Sequence, residues 1–113
     1  MKYTLADASK FTIPGGTSGA IFPPHPKGEQ TICYVETKGL YPESGVSVND
    51  VCTETIYLLE GQLEITVDGK LNKIGKGELL VILPGSRYSI KGEAKALDII
   101  TPAWDSKQNH IIK

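Results

Sequence analysis

Few side chains in this sequence are histidines or cysteines, the nitrogen and sulfur ligands of transition metals. The chain contains two histidines, His25 and His110, and two cysteines, Cys33 and Cys52. A tight transition-metal site needs three or four ligands, usually imidazole, thiolate or carboxylate. A site made of three histidines within one chain is therefore impossible, and we expect no metal cofactor.

The alternative is a divalent metal held by replacement ligands. Asp50 and Glu54, with His25 or Cys52, would supply the donors if the early loop that carries His25 reached the same place. Ligand identity alone does not establish a site, because the donors must also converge. The simpler interpretation of His25 is an exposed loop residue.

The elements that would position these residues are short strands. Glu54 opens an apolar run that is predicted to end in a glycine turn at Gly61, and the next run alternates apolar and polar residues up to Asp68-Gly69, a tight hairpin turn. No window shows the 3.6-residue apolar period of a long helix. Strands separated by Gly or Pro predict an all-β barrel or sandwich. The strands are predicted at 10–13, 30–37, 53–59, 62–68, 70–74, 78–83, 87–91 and 95–101. A turn is predicted at Gly92 and a turn-rich segment at 38–50, and the C-terminal tail is predicted to pack back on the barrel.

Length and composition narrow the class of protein. The 113 residues are expected to form one domain, 1–113, and a 40% apolar, 22% charged composition is ordinary for a globular protein. A net charge of −1 gives no electrostatic reason to expect nucleic acid or an anionic membrane as a partner. No signal-like or membrane-spanning run is present, and the two cysteines are predicted to be reduced thiols. We therefore expect a cytoplasmic protein.

Two stretches resemble the motifs of the cupin superfamily. Glu54, followed after six residues by Gly61, matches the end of the first cupin motif. Gly77 and Gly85 fall where the second motif has glycines, and Tyr88 falls at its histidine position. The resemblance centres on residues 45–90. It implies a small jelly-roll β-barrel with one open mouth, often assembled as a homodimer.

The resemblance also shows what this chain lacks. In the family, two histidines and a glutamate of the first motif, with one histidine of the second, hold a metal. Neither register of the first motif supplies a histidine here, and Tyr88 replaces the last one, so only Glu54 is retained. The two registers place the missing histidines at Val48 and Asp50, or at Ser47 and Asn49.

Glu54 and Tyr88 are the candidate catalytic residues. In the first register, strand alternation puts Asp50, Cys52 and Glu54 on one face, with Glu54 inside the barrel near Tyr88. Glu54 would then accept hydrogen bonds from a polar ligand, or act as a general acid or base with Tyr88. The alternative is a relic carboxylate tied to Tyr88 or Arg87. The candidate ligand-binding residues are Asp50, Cys52, Glu54, Arg87 and Tyr88.

Three of these candidates have structural alternatives. Asp50 follows Asn49 in a turn, where acids are usually solvated. Cys52 has the character of a small buried filler, with no visible base to activate it. Arg87 could clamp an anion at the mouth, or could be an exposed strand residue.

The predicted function is a small-molecule-binding cupin barrel without the histidine metal site of the family, with a sugar or small organic acid as ligand. One alternative is an isomerase or epimerase that works through acid–base side chains. Another is a metal-dependent isomerase or dioxygenase with replacement ligands. A dimerising domain with a vestigial pocket is the structural alternative.

Overall fold

The computed structural model describes all 113 residues, and nearly all of its regular structure is β-strand. Short 3-10 helices occur at Leu5–Asp7 and Ser106–Gln108. The prediction of an all-β fold is confirmed. The nine strands are β1 Ser9–Ile13, β2 Thr17–Ile21, β3 Thr31–Tyr41, β4 Val46–Asn49, β5 Thr53–Val67, β6 Lys70–Gly75, β7 Leu79–Ile82, β8 Arg87–Thr101 and β9 Asn109–Ile112.

Strand β8 organises the antiparallel sheet. It pairs with β5 along one edge and with β3 and then β4 along the other. The remaining neighbours extend the sheet through β2 to β1, and through β4 to β9, while β6 and β7 pair with β5. Because side chains alternate along a strand, the even-numbered residues of β8 from Tyr88 to Ile100 face the interior of the curled sheet.

The predicted turn at Gly61 is wrong, because β5 continues through it as one 15-residue strand. Its register against β8 shifts between Leu58 and Glu60, so one extra residue forms a bulge. Gly61 has a φ of 89°, and a Cβ there would lie 2.2 Å from the carbonyl oxygen of Glu93. The bulge also changes which residues face inward. Even-numbered residues such as Leu58 face inward before it, and odd-numbered residues such as Leu63 face inward after it.

The predicted turn at Gly92 is also wrong. Strand β8 runs without interruption through this glycine, where φ is 141° and a Cβ would lie 2.5 Å from the carbonyl oxygen of Gln62 on β5. The segment 38–50 contains more structure than predicted, since β3 extends to Tyr41 and β4 follows it. The hairpin at Asp68-Gly69 is confirmed, and both residues have positive φ, 49° and 82°.

The hydrophobic core fills one half of the curled sheet, and the other half is left open. The predicted packing of the tail is confirmed, because β9 pairs with β4. Neither 3-10 helix has the length and hydropathy to cross a membrane. The core cluster comprises Ile56, Leu58, Leu63, Ile65, Ile74, Ile82, Tyr88, Ile90, Ala94 and Ala96.

Candidate functional site

A cavity of about 420 Å³ occupies the open half of the sheet. Strands β1, β2, β3, β5 and β8 all contribute to its walls, and most of the lining side chains are apolar. This combination of apolar walls and a few converging polar groups is typical of small-molecule sites. The lining residues are Phe11, Thr12, Ile13, Thr17, Ile21, Thr31, Cys33, Val35, Thr37, Tyr41, Glu54, Tyr88, Ile90, Asp98, Ile100, Trp104 and Asn109.

Glu54 lies at the polar end of this cavity and is 6% exposed. It faces inward because it shares the alternating face of β5 with Ile56 and Leu58. Its Oε1 accepts hydrogen bonds from the Tyr88 hydroxyl at 3.0 Å and from Asn49 Nδ2 at 3.2 Å. The structure therefore brings together the two residues that the sequence indicated as catalytic candidates.

The C-terminal segment holds Asn49 in place. Asn49 Oδ1 accepts from Gln108 Nε2 at 3.1 Å and from Asn109 Nδ2 at 2.9 Å, so its own Nδ2 is directed toward Glu54. Gln108 is anchored in turn, because its Oε1 accepts from the backbone N–H groups of Val51 and Cys52. The tail thus orients the amide that binds the buried carboxylate.

Asp98 is the functional candidate that sequence reasoning missed. It lies on β8, paired with Ile56 of β5, so its side chain is a diagonal neighbour of Glu54 on the inner face. The two carboxyls are close enough for each to shift the pKa of the other. The available signal was an acid on the alternating face that it shares with the apolar residues Ala94, Ala96 and Ile100.

Burial changes the acidity of this carboxyl pair. Desolvation raises the pKa of Glu54, and hydrogen bonds from Asp98, Tyr88 and Asn49 partly oppose that rise. Desolvation, and then the nearby charge and hydrogen bond of Glu54, raise the pKa of Asp98 well above its usual range. Two adjacent carboxyls share a proton because ionising both of them at once is unfavourable in a low-dielectric site. The pKa of Asp98 shows the stronger rise of the two.

The other titratable groups of the cavity are weak acids. Burial and the charge of Glu54 raise the pKa of the Tyr88 hydroxyl well above 10.0. Burial, with Asp98 and Glu54 nearby, raises the pKa of Cys33 to about 12, so the thiol stays protonated. Tyr41 packs with its ring centroid 6.2 Å from that of Tyr88, and its hydroxyl lies 3.2 Å from Ser47 Oγ.

Three of the predicted ligand-binding residues do not line the cavity. Asp50 is exposed, and its Oδ2 lies 2.6 Å from His110 Nε2 on the outside of the fold. Cys52 is buried, but its Sγ donates to the carbonyl oxygen of Pro102 at 3.4 Å. Arg87 is exposed, and its backbone N–H binds Asp68 Oδ1. Asp50 fails to face inward because β5 begins only at Thr53.

The residues present do not fit the metal site that the cupin resemblance implies. Ser47 and Asn49, at two of the missing histidine positions, are both buried, and they bind Tyr41, Asn109 and Glu54 instead. No group of three or more His, Cys, Asp or Glu side chains converges as metal ligands. The replacement set Asp50, Glu54 and His25 is not brought together.

Solved structures show the same architecture. Pac13, described as a unique nucleoside dehydratase, superposes with a TM-score of 0.89 at 17% identity, covering 100% of this chain and 91% of that one. A tyrosine-to-phenylalanine variant of Streptomyces Pac13 with uridine has a TM-score of 0.90 at 17% identity, covering 100% and 90%.

An RmlC-like cupin from Shewanella frigidimarina has a TM-score of 0.75 at 15% identity, covering 93% of each chain. No protein-family model and no curated protein sequence matches this chain. The likeness therefore lies in the fold, and it confirms the predicted jelly-roll barrel.

Proposed function

We propose that this chain, which has the cupin fold, binds a neutral, hydroxyl-bearing small molecule in its cavity, such as a sugar or a nucleoside. One observation carries the proposal: the polar end presents the carboxyls of Glu54 and Asp98, and no Lys, Arg or His lines the cavity. An organic acid would meet two carboxyls without a compensating cation. Ligand hydroxyl groups, in contrast, would find hydrogen-bond acceptors.

The walls support the same class of ligand. Apolar side chains such as Val35, Ile90 and Ile100 line the cavity, and Trp104 adds an aromatic surface that is 44% exposed. Aromatic and aliphatic surfaces suit the C–H face of a sugar or the flat face of a base. The similarity of fold to Pac13, a nucleoside dehydratase of which variants are known with uridine, supports including nucleosides.

Matched pairs of neutral and anionic compounds test the proposal. Calorimetric titrations would compare methyl β-D-glucoside with methyl β-D-glucuronide, and uridine with uridine 5′-monophosphate. Because Trp104 is the only tryptophan and lines the cavity, its fluorescence gives a second readout for the glycosides. We expect binding of a neutral member and weaker binding of its anionic counterpart. Preference for the anionic members would overturn the proposal.

Two variants locate the binding. Glu54→Ala should weaken binding because it removes the acceptor at the polar end. Arg87→Gln is the matched control, since this exposed side chain lies outside the cavity. Equal losses in both variants would place the ligand elsewhere on the protein.

Acid–base catalysis is a second candidate function. It is favoured by the adjacent carboxyls of Glu54 and Asp98, since a protonated acid beside an ionised one can supply and accept protons on one ligand. An isomerase or epimerase would exchange a substrate C–H proton with solvent. NMR of a bound sugar in D₂O tests this, and exchange should vanish in Glu54→Gln. Exchange that persists unchanged in that variant would exclude this role for Glu54.

We also propose that the chain forms a homodimer through the outer face of the sheet. Tyr57, Leu79 and Val81 are each at least 36% exposed on adjoining strands, and Leu97 lies beside Tyr57 on β8. An uncharged, apolar face can meet its own copy without charge repulsion. Light scattering should show that Leu79→Glu is monomeric. Leu71→Glu, on β6 in the other half of the sheet, should remain dimeric.

A further inference from the structure

Two buried polar atoms in the structure have no hydrogen-bond partner, and both belong to residues that line the cavity. They are Thr17 Oγ1 on β2 and Asp98 Oδ1 on β8. Thr17 is 7% exposed, so open solvent does not satisfy its hydroxyl. Unpaired buried polar atoms are uncommon and costly in folded proteins. Their occurrence in one cavity indicates groups that are paired only when the cavity is filled.

We propose that the ligand of this cavity is an elongated molecule that hydrogen-bonds both Asp98 Oδ1 and Thr17 Oγ1. This inference rests on the proposed binding of a neutral small molecule. At Asp98 the ligand would present an O–H or N–H group, because Oδ1 is buried and accepts a hydrogen bond from no donor of the protein. At Thr17 the ligand can present either a donor or an acceptor, since a hydroxyl does both.

The strand register sets the length of the ligand. Thr17 pairs with Thr37, which pairs with Ala94, and Ala94 precedes Asp98 by four residues on β8. Four residues correspond to about 13 Å along a strand. A single sugar ring is shorter than this offset along the strand, whereas the length of a nucleoside or a disaccharide comes closer to it.

The wall between the two atoms determines the middle of the ligand. On β3, Val35 lies between Cys33, the partner of Asp98, and Thr37, the partner of Thr17. Val35 presents only apolar surface to the cavity. Along the cavity, the surface is therefore polar at Asp98, apolar in the middle and polar at Thr17. A molecule with polar groups at its two ends and a planar or apolar middle matches this order, and a compact polyol does not.

Uridine and D-ribose are a matched pair of probes, since ribose is uridine without the base. Calorimetry on wild-type protein, Thr17→Val, Asp98→Ala and Thr55→Val would give the affinity of each probe. Thr17→Val is isosteric and removes only the hydroxyl, and Thr55 lies on the outer face of β5 as a control. We expect uridine to bind more tightly than ribose to the wild type, and Asp98→Ala to weaken both.

The decisive quantity is the ratio of uridine to ribose affinity. Thr17→Val should lower this ratio about three- to tenfold, the effect of one hydrogen bond, while Thr55→Val leaves it unchanged. The ligand-free Thr17→Val protein should also melt at a higher temperature, because the variant lacks an unpaired buried hydroxyl. A merely structural threonine would give the opposite shift.

The outcomes separate this inference from the proposed function. If the wild type binds the neutral probes but Thr17→Val leaves the ratio unchanged, the two-ended ligand is wrong and neutral-ligand binding stands. If none of the neutral probes binds to the wild type while their anionic counterparts do, the proposed function itself is overturned.

Discussion

The two halves of the barrel interior are built from the same strands but in opposite ways. In the packed half, Leu58 and Ile65 have no exposed surface and contact other apolar side chains. In the open half, Glu54 and Asp98 lie on the same two long strands and face a cavity. Strands β5 and β8 therefore supply both the packing and the polar site.

The difference shows how a small domain accommodates buried acids. Desolvating two carboxyls is unfavourable, and the hydrogen bonds that Asn49 and Tyr88 donate to Glu54 offset only part of that cost. The packed half supplies the compensating apolar burial. We therefore expect substitutions in the packed half to change stability most, and substitutions in the open half to change ligand binding and pH dependence.

The largest effect is expected in the packed half, at Leu58. Leu58→Ala removes a fully buried side chain and should lower the free energy of unfolding by about 2–5 kcal/mol. The adjacent Leu59 is 37% exposed at the bulge, so Leu59→Ala should have a much smaller effect. Urea unfolding of the two variants measures the difference. Equal losses of unfolding free energy in the two variants would mean that Leu58 and Leu59 do not differ in burial as the structure shows.

The next largest effect is expected at the amide that orients the buried carboxyl. Asn49→Ala leaves Glu54, Gln108 and Asn109 short of partners, and should cost about 1–3 kcal/mol and weaken binding of a neutral probe. Asn72→Ala is the control, because Asn72 binds backbone carbonyls of the β5–β6 hairpin, away from the cavity. Binding losses of the same size in both variants would contradict a positioning role for Asn49.

The carboxyl pair should make stability depend on pH in a defined direction. The pKa values of Glu54 and Asp98 are raised on folding, so the folded state binds protons more tightly than the unfolded state. Their stabilisation is complete below the unfolded carboxyl pKa of about 4, and is lost as the pH rises toward the raised values.

Asp98→Asn removes one of these titrating groups and keeps its shape. The melting temperature of the variant should fall less than that of the wild type as the pH is raised. Thermal melts over this range test the prediction, and parallel curves for the two proteins would show that Asp98 does not contribute to the pH dependence.

Much of the fold, and part of the site, could be predicted from local sequence signals. Asp68-Gly69 marks a hairpin because both residues adopt positive φ, and the spacing from Glu54 to Gly61 indicated the fold. The pairing of Glu54 with Tyr88 followed from the motif positions. Each of these predictions depends on residues close in sequence or on a spacing with a known structural meaning.

Features that depend on pairing between distant strands could not be predicted. A glycine with positive φ occurs in both turns and bulges, and only the register against β8 shows that Gly61 is in a bulge. Asp98 becomes a site residue because β8 pairs with β5, and the 43 residues between it and Glu54 carry no signal of that contact. Asp98 can therefore be identified as a site residue only once the strand order of the sheet is known.

The smallest effect is expected on the outside of the barrel, where Asp50 contacts His110. Both side chains of this pair are 53% exposed, and exposed ion pairs contribute about 0–1 kcal/mol. Asp50→Asn should therefore change the melting temperature little, and should leave the affinity for a neutral probe unchanged because Asp50 does not line the cavity. Parallel calorimetry of Asp50→Asn and Glu54→Ala measures this contrast directly. A comparable loss of affinity in Asp50→Asn would show that the ligand extends past the barrel mouth to the tail strand, and would remove the distinction between interior and exterior carboxylates.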